Sequence, residues 1–156
     1  ATVTTTKIDN LTVVWNASAN DYSHTDGIEM DCGHNITIDH MTILMGTPVD
    51  AAKGSNGAIE TQGSTSGGFC PVNYVTETNN FFSGGYATYR VADDTDVHHV
   101  TSRNKVIEKG KYYYFAVSLD SAASVDVWEN IRLSDGTPIP NPGTWSECAG
   151  YGGSCH

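Results

Sequence analysis

The chain has 156 residues, enough for one domain with one continuous core, and its 18 Asp and Glu against 8 Lys and Arg give a formal net charge of -10. That balance excludes nucleic-acid binding, which needs clustered cations to displace counterions from phosphates, and it disfavours an anionic membrane surface. No apolar stretch approaches the roughly 20 residues that span a bilayer, so membrane insertion is not expected.

In chain order, "ATVTTTKI" (residues 1–8) reads as a Thr/Val-rich strand arm able to add to a neighbour's sheet edge. The chain begins at Ala1 rather than Met, as expected of a processed or excised product. Three sequons follow at Asn10, Asn16 and Asn35, each an acceptor pattern for N-glycosylation. The cysteines number 4, an even count that suits an oxidising compartment. Sequons and cysteines together point to an extracellular glycoprotein, secreted or held at the cell surface.

No window shows a helical period; short β-branched runs bounded by Gly, Asn and Asp read as strands throughout. "DNLTVV" from Asp9 and "HNITID" from His34 set Asn10 and Asn35 25 residues apart, and "VTETNNFF" from Val75 and "VTSRNKVI" from Val100 repeat that spacing. A second strand type precedes the later segments: "GIEMD" from Gly27, "GAIET" from Gly57, "ATYRV" from Ala87 and "FAVSL" from Phe115, at spacings of 30, 30 and 28. "VDVWENIRL" from Val125 is a further segment of the first type. Repetition of this kind predicts an all-β single domain over 1–156, a right-handed parallel β-helix of about five coils whose stacked rungs share one core. The alternative is a β-sandwich.

Cys32 and Cys70 each stand three residues before an Asn (Asn35 and Asn73), which places them on neighbouring rungs at bridging distance. Cys148 and Cys155 would close a small loop within the tail, 141–156. Alternation in "GIEMD" sends Glu29 and Asp31 outward, and the same positions on the next rungs are Glu60 and Arg90. This ladder is a candidate binding site for sugar hydroxyls or a cation, in which Arg90 lowers a carboxyl's affinity for protons; the plainer alternative is a solvated face. "VADDTDVHHV" holds Asp93, Asp94, Asp96, His98 and His99, hard ligands of the kind calcium takes. Asp-rich turns also occur without metal, so no cofactor is expected, and calcium is the one candidate. The two histidines alternate to opposite faces if the segment is a strand. Among "KYYYFAV", alternation leaves two aromatics outward, ready to stack on sugar or on protein.

"HTDGIEMDCGHNITIDHMTI" (24–43) resembles the pectin-degrading glycoside hydrolases, the polygalacturonase and rhamnogalacturonase superfamily, with its N-T-D-G-x-D segment and following N-x-T-I strand. "NNFFSGGYATYR" occupies the place of the family's S-G-G-H-G stretch, and "CAGYGGSC" is similar to a cysteine-closed family tail. The resemblance implies a β-helix, secretion, an acidic polysaccharide as substrate, and Asp26 as a catalytic carboxylate. Departures accompany it. Only Asp50 stands near the place of the family's Asp-Asp pair, Tyr86 replaces the family His, and "FAVSLD" has no Arg-x-Lys clamp. The standard polygalacturonase mechanism is therefore not expected. The implied function is polysaccharide or glycan binding, or an altered glycosidase using Asp26, Asp50 and Glu29, with Asp31, Glu60, Tyr86 and Arg90 on the ligand. A second reading of the same features is an extracellular structural subunit that forms a homopolymer by strand addition.

Overall fold

A computed structural model describes residues 6–9, 12–15, 26–45, 57–61, 70–85, 87–91, 97–108, 115–119 and 125–139. These residues are all-β, with no helix among them. The strands are β1 (Thr6–Asp9), β2 (Thr12–Trp15), β3 (Ile28–Met30), β4 (Gly33–Asp39), β5 (Thr42–Met45), β6 (Gly57–Thr61), β7 (Val72–Thr78), β8 (Phe81–Ser83), β9 (Ala87–Val91), β10 (Val97–Glu108), β11 (Phe115–Leu119) and β12 (Val125–Leu133). They form a four-stranded sheet in the order β11-β9-β6-β3 and an eight-stranded sheet in the order β1-β4-β7-β10-β8-β5-β2, with β12 also on β10. Every pairing between strands is parallel, unlike the antiparallel pairing of a sandwich. From β3 onward each pass of the chain visits the small sheet once and then runs along the large one.

The large sheet bends where the backbone turns left-handed. Asp39, Thr78, Arg103 and Glu129 lie in register, and the next residue of each rung, His40, Asn79, Asn104 or Asn130, has φ between 51° and 57°. Asn tolerates this region better than most residues, because its short polar side chain bonds locally. Here the bonds run between rungs. Asn130 Nδ2 donates to Asn104 Oδ1 (2.8 Å), Asn104 Nδ2 to Asn79 Oδ1 (3.1 Å), and Asn79 Nδ2 to Asp39 Oδ1 (2.9 Å). The Thr78 hydroxyl, then the Asn79 amide and His40, hold the Asp39 carboxyl down at about 2. One position further on, buried Asn80 accepts from the Met41 N–H (2.8 Å) and donates to the Ile38 carbonyl (3.1 Å).

The core fills the space between the sheets as columns: Ile36, Val75 and Val100; Ile43, Phe82 and Ile107; Ile59, Tyr89 and Val117, all buried. Beyond β12 the chain folds back. Leu133 N–H donates to the Thr137 carbonyl (2.8 Å), Ile139 N–H to the Ile131 carbonyl (2.9 Å) and Trp128 Nε1 to the Ile139 carbonyl (2.9 Å). Residues 137–139 therefore cover part of the outer edge of β12.

The spacing of Val75 and Val100 is the true register, and Val125 continues it. The Asn10–Asn35 match is not. Asp9 pairs with Asp39 and Thr12 with Thr42, so the first rung is offset by 30 residues, with residues 6–9 on 36–39 and 12–15 on 42–45. The N-x-T pattern is shared by chance in the other frame. Asn73 likewise pairs with His34 rather than Asn35. Alternation also fails at His98 and His99: His99 has φ 61°, so the rings are only 6.5 Å apart and both reach the surface.

The interior also holds a polar cluster that the sequence pattern did not announce. Glu77 and Lys105 are fully buried and form an ion pair, with Ser102 in register beside Glu77. The Lys105 ammonium lies 3.8 Å from the centroid of the Tyr89 ring and 5.6 Å from that of Phe82. Burial pulls the Lys105 amine down against the opposing pull of Glu77, and burial and the Glu77 carboxylate push the Tyr89 phenol up. Removing one partner strands the other charge in a low dielectric. Lys105→Ala or Glu77→Ala should each lose about 3–5 kcal/mol in denaturant unfolding, and the double change Lys105→Met with Glu77→Leu should lose far less. A double-variant loss as large as the two single losses added together would show that the pair is not coupled.

Candidate functional site

The site is built around the small sheet. Gly27 starts its first rung, and its N–H donates to the Gly57 carbonyl at 3.0 Å. A Cβ there would lie 2.4 Å from the Ala58 carbonyl oxygen and 2.5 Å from Ile43 Cγ2, so only glycine permits the approach. The Asp-Gly step thus holds half-buried Asp26 against β6. Glu29 pairs in register with Glu60, and Glu60 with Arg90, as the ladder expectation required. Glu29 and Asp31 are exposed.

Glu60 departs from the expectation. All five residues of β6 are buried, and the Glu60 side chain is 2% exposed against 36% for Arg90. Alternation names the face a residue occupies and not whether that face is covered, so the solvated reading fails here. Arg90 Nη1 donates to Glu60 Oε1 at 2.6 Å. The guanidinium does not lower the carboxyl's proton affinity overall. Burial is the largest influence and raises it; Arg90 opposes this, and the charges of Asp26, Glu29 and Asp31 add to the rise, bringing Glu60 from 4.5 to about 7.

Cys32 and Cys70 form a disulfide with a Cα–Cα distance of 5.2 Å, beside which Gly33 N–H donates to the Pro71 carbonyl at 3.1 Å. The bridge ties the turn that carries Asp31 to the start of β7. Asn35 lies exposed at φ 56°. Asp50, Tyr86, Cys148, Cys155, Asn10, Asn16, Asp93, Asp94 and Asp96 lie outside the described residues. Among the described residues no group of three or more His, Cys, Asp or Glu is arranged to hold a metal ion, and no helix is long and apolar enough to cross a membrane. Sequence reasoning missed the stack of Tyr74 on His99 (centroids 4.7 Å apart, planes 9° apart) and the His99–Asp126 pair at 2.8 Å. The register signal for Tyr74 was present at Val75 and Val100, one residue later.

Chemically, the arrangement offers a partly exposed guanidinium fixed by an enclosed carboxyl, with two exposed carboxylates alongside. Comparison with known proteins adds no relative: no family model, curated protein or solved structure matches the chain.

The displaced titration has a measurable sign. Between 4.5 and about 7 the native state keeps the Glu60 proton that the unfolded chain has released, so stability falls as pH rises across this window and levels off above it. Urea midpoints measured from pH 4 to 8 should show this fall, and Glu60→Gln should remove it. An unchanged slope in Glu60→Gln would assign the titration elsewhere.

Proposed function

We propose that this chain is an extracellular right-handed parallel β-helix of about five coils that binds polysaccharide through Arg90, Glu29 and Asp31. Parallel strands recurring through two sheets support the architecture, and the Cys32–Cys70 disulfide with three sequons supports the compartment. The carrying observation for function is the Glu60–Arg90 contact at 2.6 Å. It freezes a guanidinium at the rim of a rung whose register neighbours include exposed Glu29.

Guanidinium donors and carboxylate acceptors in fixed positions match the paired hydroxyls of a sugar ring. A neutral polysaccharide is favoured over a polyuronate. Three carboxylates (Asp26, Glu29 and Asp31) bear electrostatically on Glu60, the carboxyl partner of the Arg90 guanidinium, and the net charge of -10 repels a polyanion. Binding is favoured over hydrolysis on geometry. A carboxyl titrating at about 7 has the proton affinity of a general acid, but Glu60 is enclosed, and a general acid must reach the glycosidic oxygen. Assembly by strand addition is less supported, because residues 137–139 occupy the β12 edge at Ile131 and Leu133.

Affinity electrophoresis against neutral plant and microbial polysaccharides should retard the protein, with polygalacturonate retarding it less. Arg90→Ala and the pair Glu29→Gln with Asp31→Asn should each weaken binding at least about tenfold, the loss expected when a charged hydrogen-bonding partner is removed. Release of new reducing ends that Glu60→Gln abolishes would replace binding by hydrolysis. Stronger retardation by polygalacturonate would overturn the preference for a neutral chain.

A further inference from the structure

Tyr74 is the exposed large hydrophobic residue of the described chain, at 57%. It sits in a second left-handed column, Asn35, Tyr74 and His99, with φ of 56°, 57° and 61°, each directly before the paired Ile36, Val75 and Val100. A Tyr at positive φ is uncommon, and one held there with its ring in water calls for a physical reason. One face of the ring is covered by His99, 4.7 Å away and nearly parallel, and His99 is itself fixed by Asp126 at 2.8 Å. The other face looks along the stack towards the rung of Asn35, one strand spacing (about 4.8 Å) away. Asn35 opens the sequon Asn35-Ile36-Thr37 and is exposed.

We propose that Asn35 carries an N-linked glycan and that its first N-acetylglucosamine ring lies on the open face of Tyr74, making a three-layer stack of sugar, Tyr74 and His99. The inference rests on the extracellular reading above. In the transfer, Asn35 Nδ2 attacks the anomeric carbon of a lipid-pyrophosphate-linked oligosaccharide. The N–C bond forms, the bond from that carbon to the pyrophosphate oxygen breaks, the pyrophosphate leaves with the bonding pair, and the amide proton passes to the transferase. The amide has two hydrogens. One is replaced by the sugar, and the other continues to bond His34 Nδ1, which lies 3.0 Å from Nδ2. An Asn side chain is shorter than a Tyr side chain, so a ring attached to Nδ2 runs alongside the phenol rather than beyond it. Sugar rings present C–H faces that pack on aromatic faces, and His99 shows that side chains in this column already stack at rung spacing.

The test uses the full chain with Asn10→Gln and Asn16→Gln, so that Asn35 is its single sequon, produced in a eukaryotic secretory host. Peptide mapping should find Asn35 occupied. Trimming the glycan to a single N-acetylglucosamine should leave the melting temperature unchanged, and complete removal should lower it by about 2–4 °C. Complete removal leaves Asp at this position, so unglycosylated Asn35→Asp is the reference. Tyr74→Ala should keep occupancy and abolish the melting difference. Upfield ring-current shifts of the first sugar's protons detect the stack directly in the protein with Tyr74 intact, should Tyr74→Ala not fold. Secreted protein with the Cys32–Cys70 bridge formed and Asn35 bare would overturn the proposal and leave the extracellular reading standing. Retention in the cell with both cysteines reduced would overturn both. Occupancy without ring-current shifts would overturn the stack.

Discussion

Parallel in-register stacking is the constraint on which every other feature of this molecule depends. When rungs repeat at about 4.8 Å, each side chain meets the side chain at the same position on the next rung, and chemistry accumulates in columns. An apolar column becomes core, as with Ile43, Phe82 and Ile107. An amide column becomes a one-directional hydrogen-bond ladder: Asn130 donates to Asn104, Asn104 to Asn79, and Asn79 to a carboxylate that donates nothing in return. The ladder stands at the bend of the large sheet, where left-handed backbone would otherwise cost energy. The residue type that tolerates the turn is also the one that binds its own copies.

Columns also set how much polarity the interior can hold. Glu77 lies between Ile38 and Ser102, and Lys105 between Asn80 and Ile131, so each charge interrupts a largely buried column. They are tolerated because they meet each other across two rungs and because the Lys105 ammonium lies over the Tyr89 ring. A slip of β10 against β7 by one residue would part this ion pair and break the link between Asn79 and Asn104 at once. Polar side chains therefore resist the slip that apolar stacking alone would permit.

The same logic explains what could be read in the sequence. The Val75–Val100 repeat was legible because those two rungs have equal length and keep Val, Thr and Asn in place. The first rung is longer, and the N-x-T pattern at Asn10 and Asn35 matched in the wrong frame, since three residues over a strand-rich alphabet recur easily. The Glu29–Glu60–Arg90 alignment was legible from spacing; the Cys32–Cys70 bridge forms as expected although the Asn35–Asn73 spacing behind it is one residue out of register, since Asn73 pairs with His34. Enclosure of Glu60 was not, because alternation has a period of two and carries no information about what covers the outer face. Glu77 and Lys105 were invisible for the opposite reason: they sit where the pattern demands apolar residues, and each is acceptable only because the other is present.

Two enclosed carboxylates then separate structure from function. Glu77 and Lys105 are both sealed, so their pair neutralises itself inside the protein and offers nothing to a ligand. Glu60 is sealed, but its partner Arg90 is not, and three further carboxylates bear on it electrostatically. Its charge therefore responds to conditions near neutrality, and that response is passed to a guanidinium that a ligand can touch. When Glu60 is protonated, Arg90 keeps a hydrogen-bond partner but loses an opposing charge, and its attraction for an incoming acceptor grows. In the proposed reading a carboxyl buried behind an accessible cation is a site element, whereas one buried behind a buried cation is a core element, and in this fold the two lie on neighbouring sheets of the same stack.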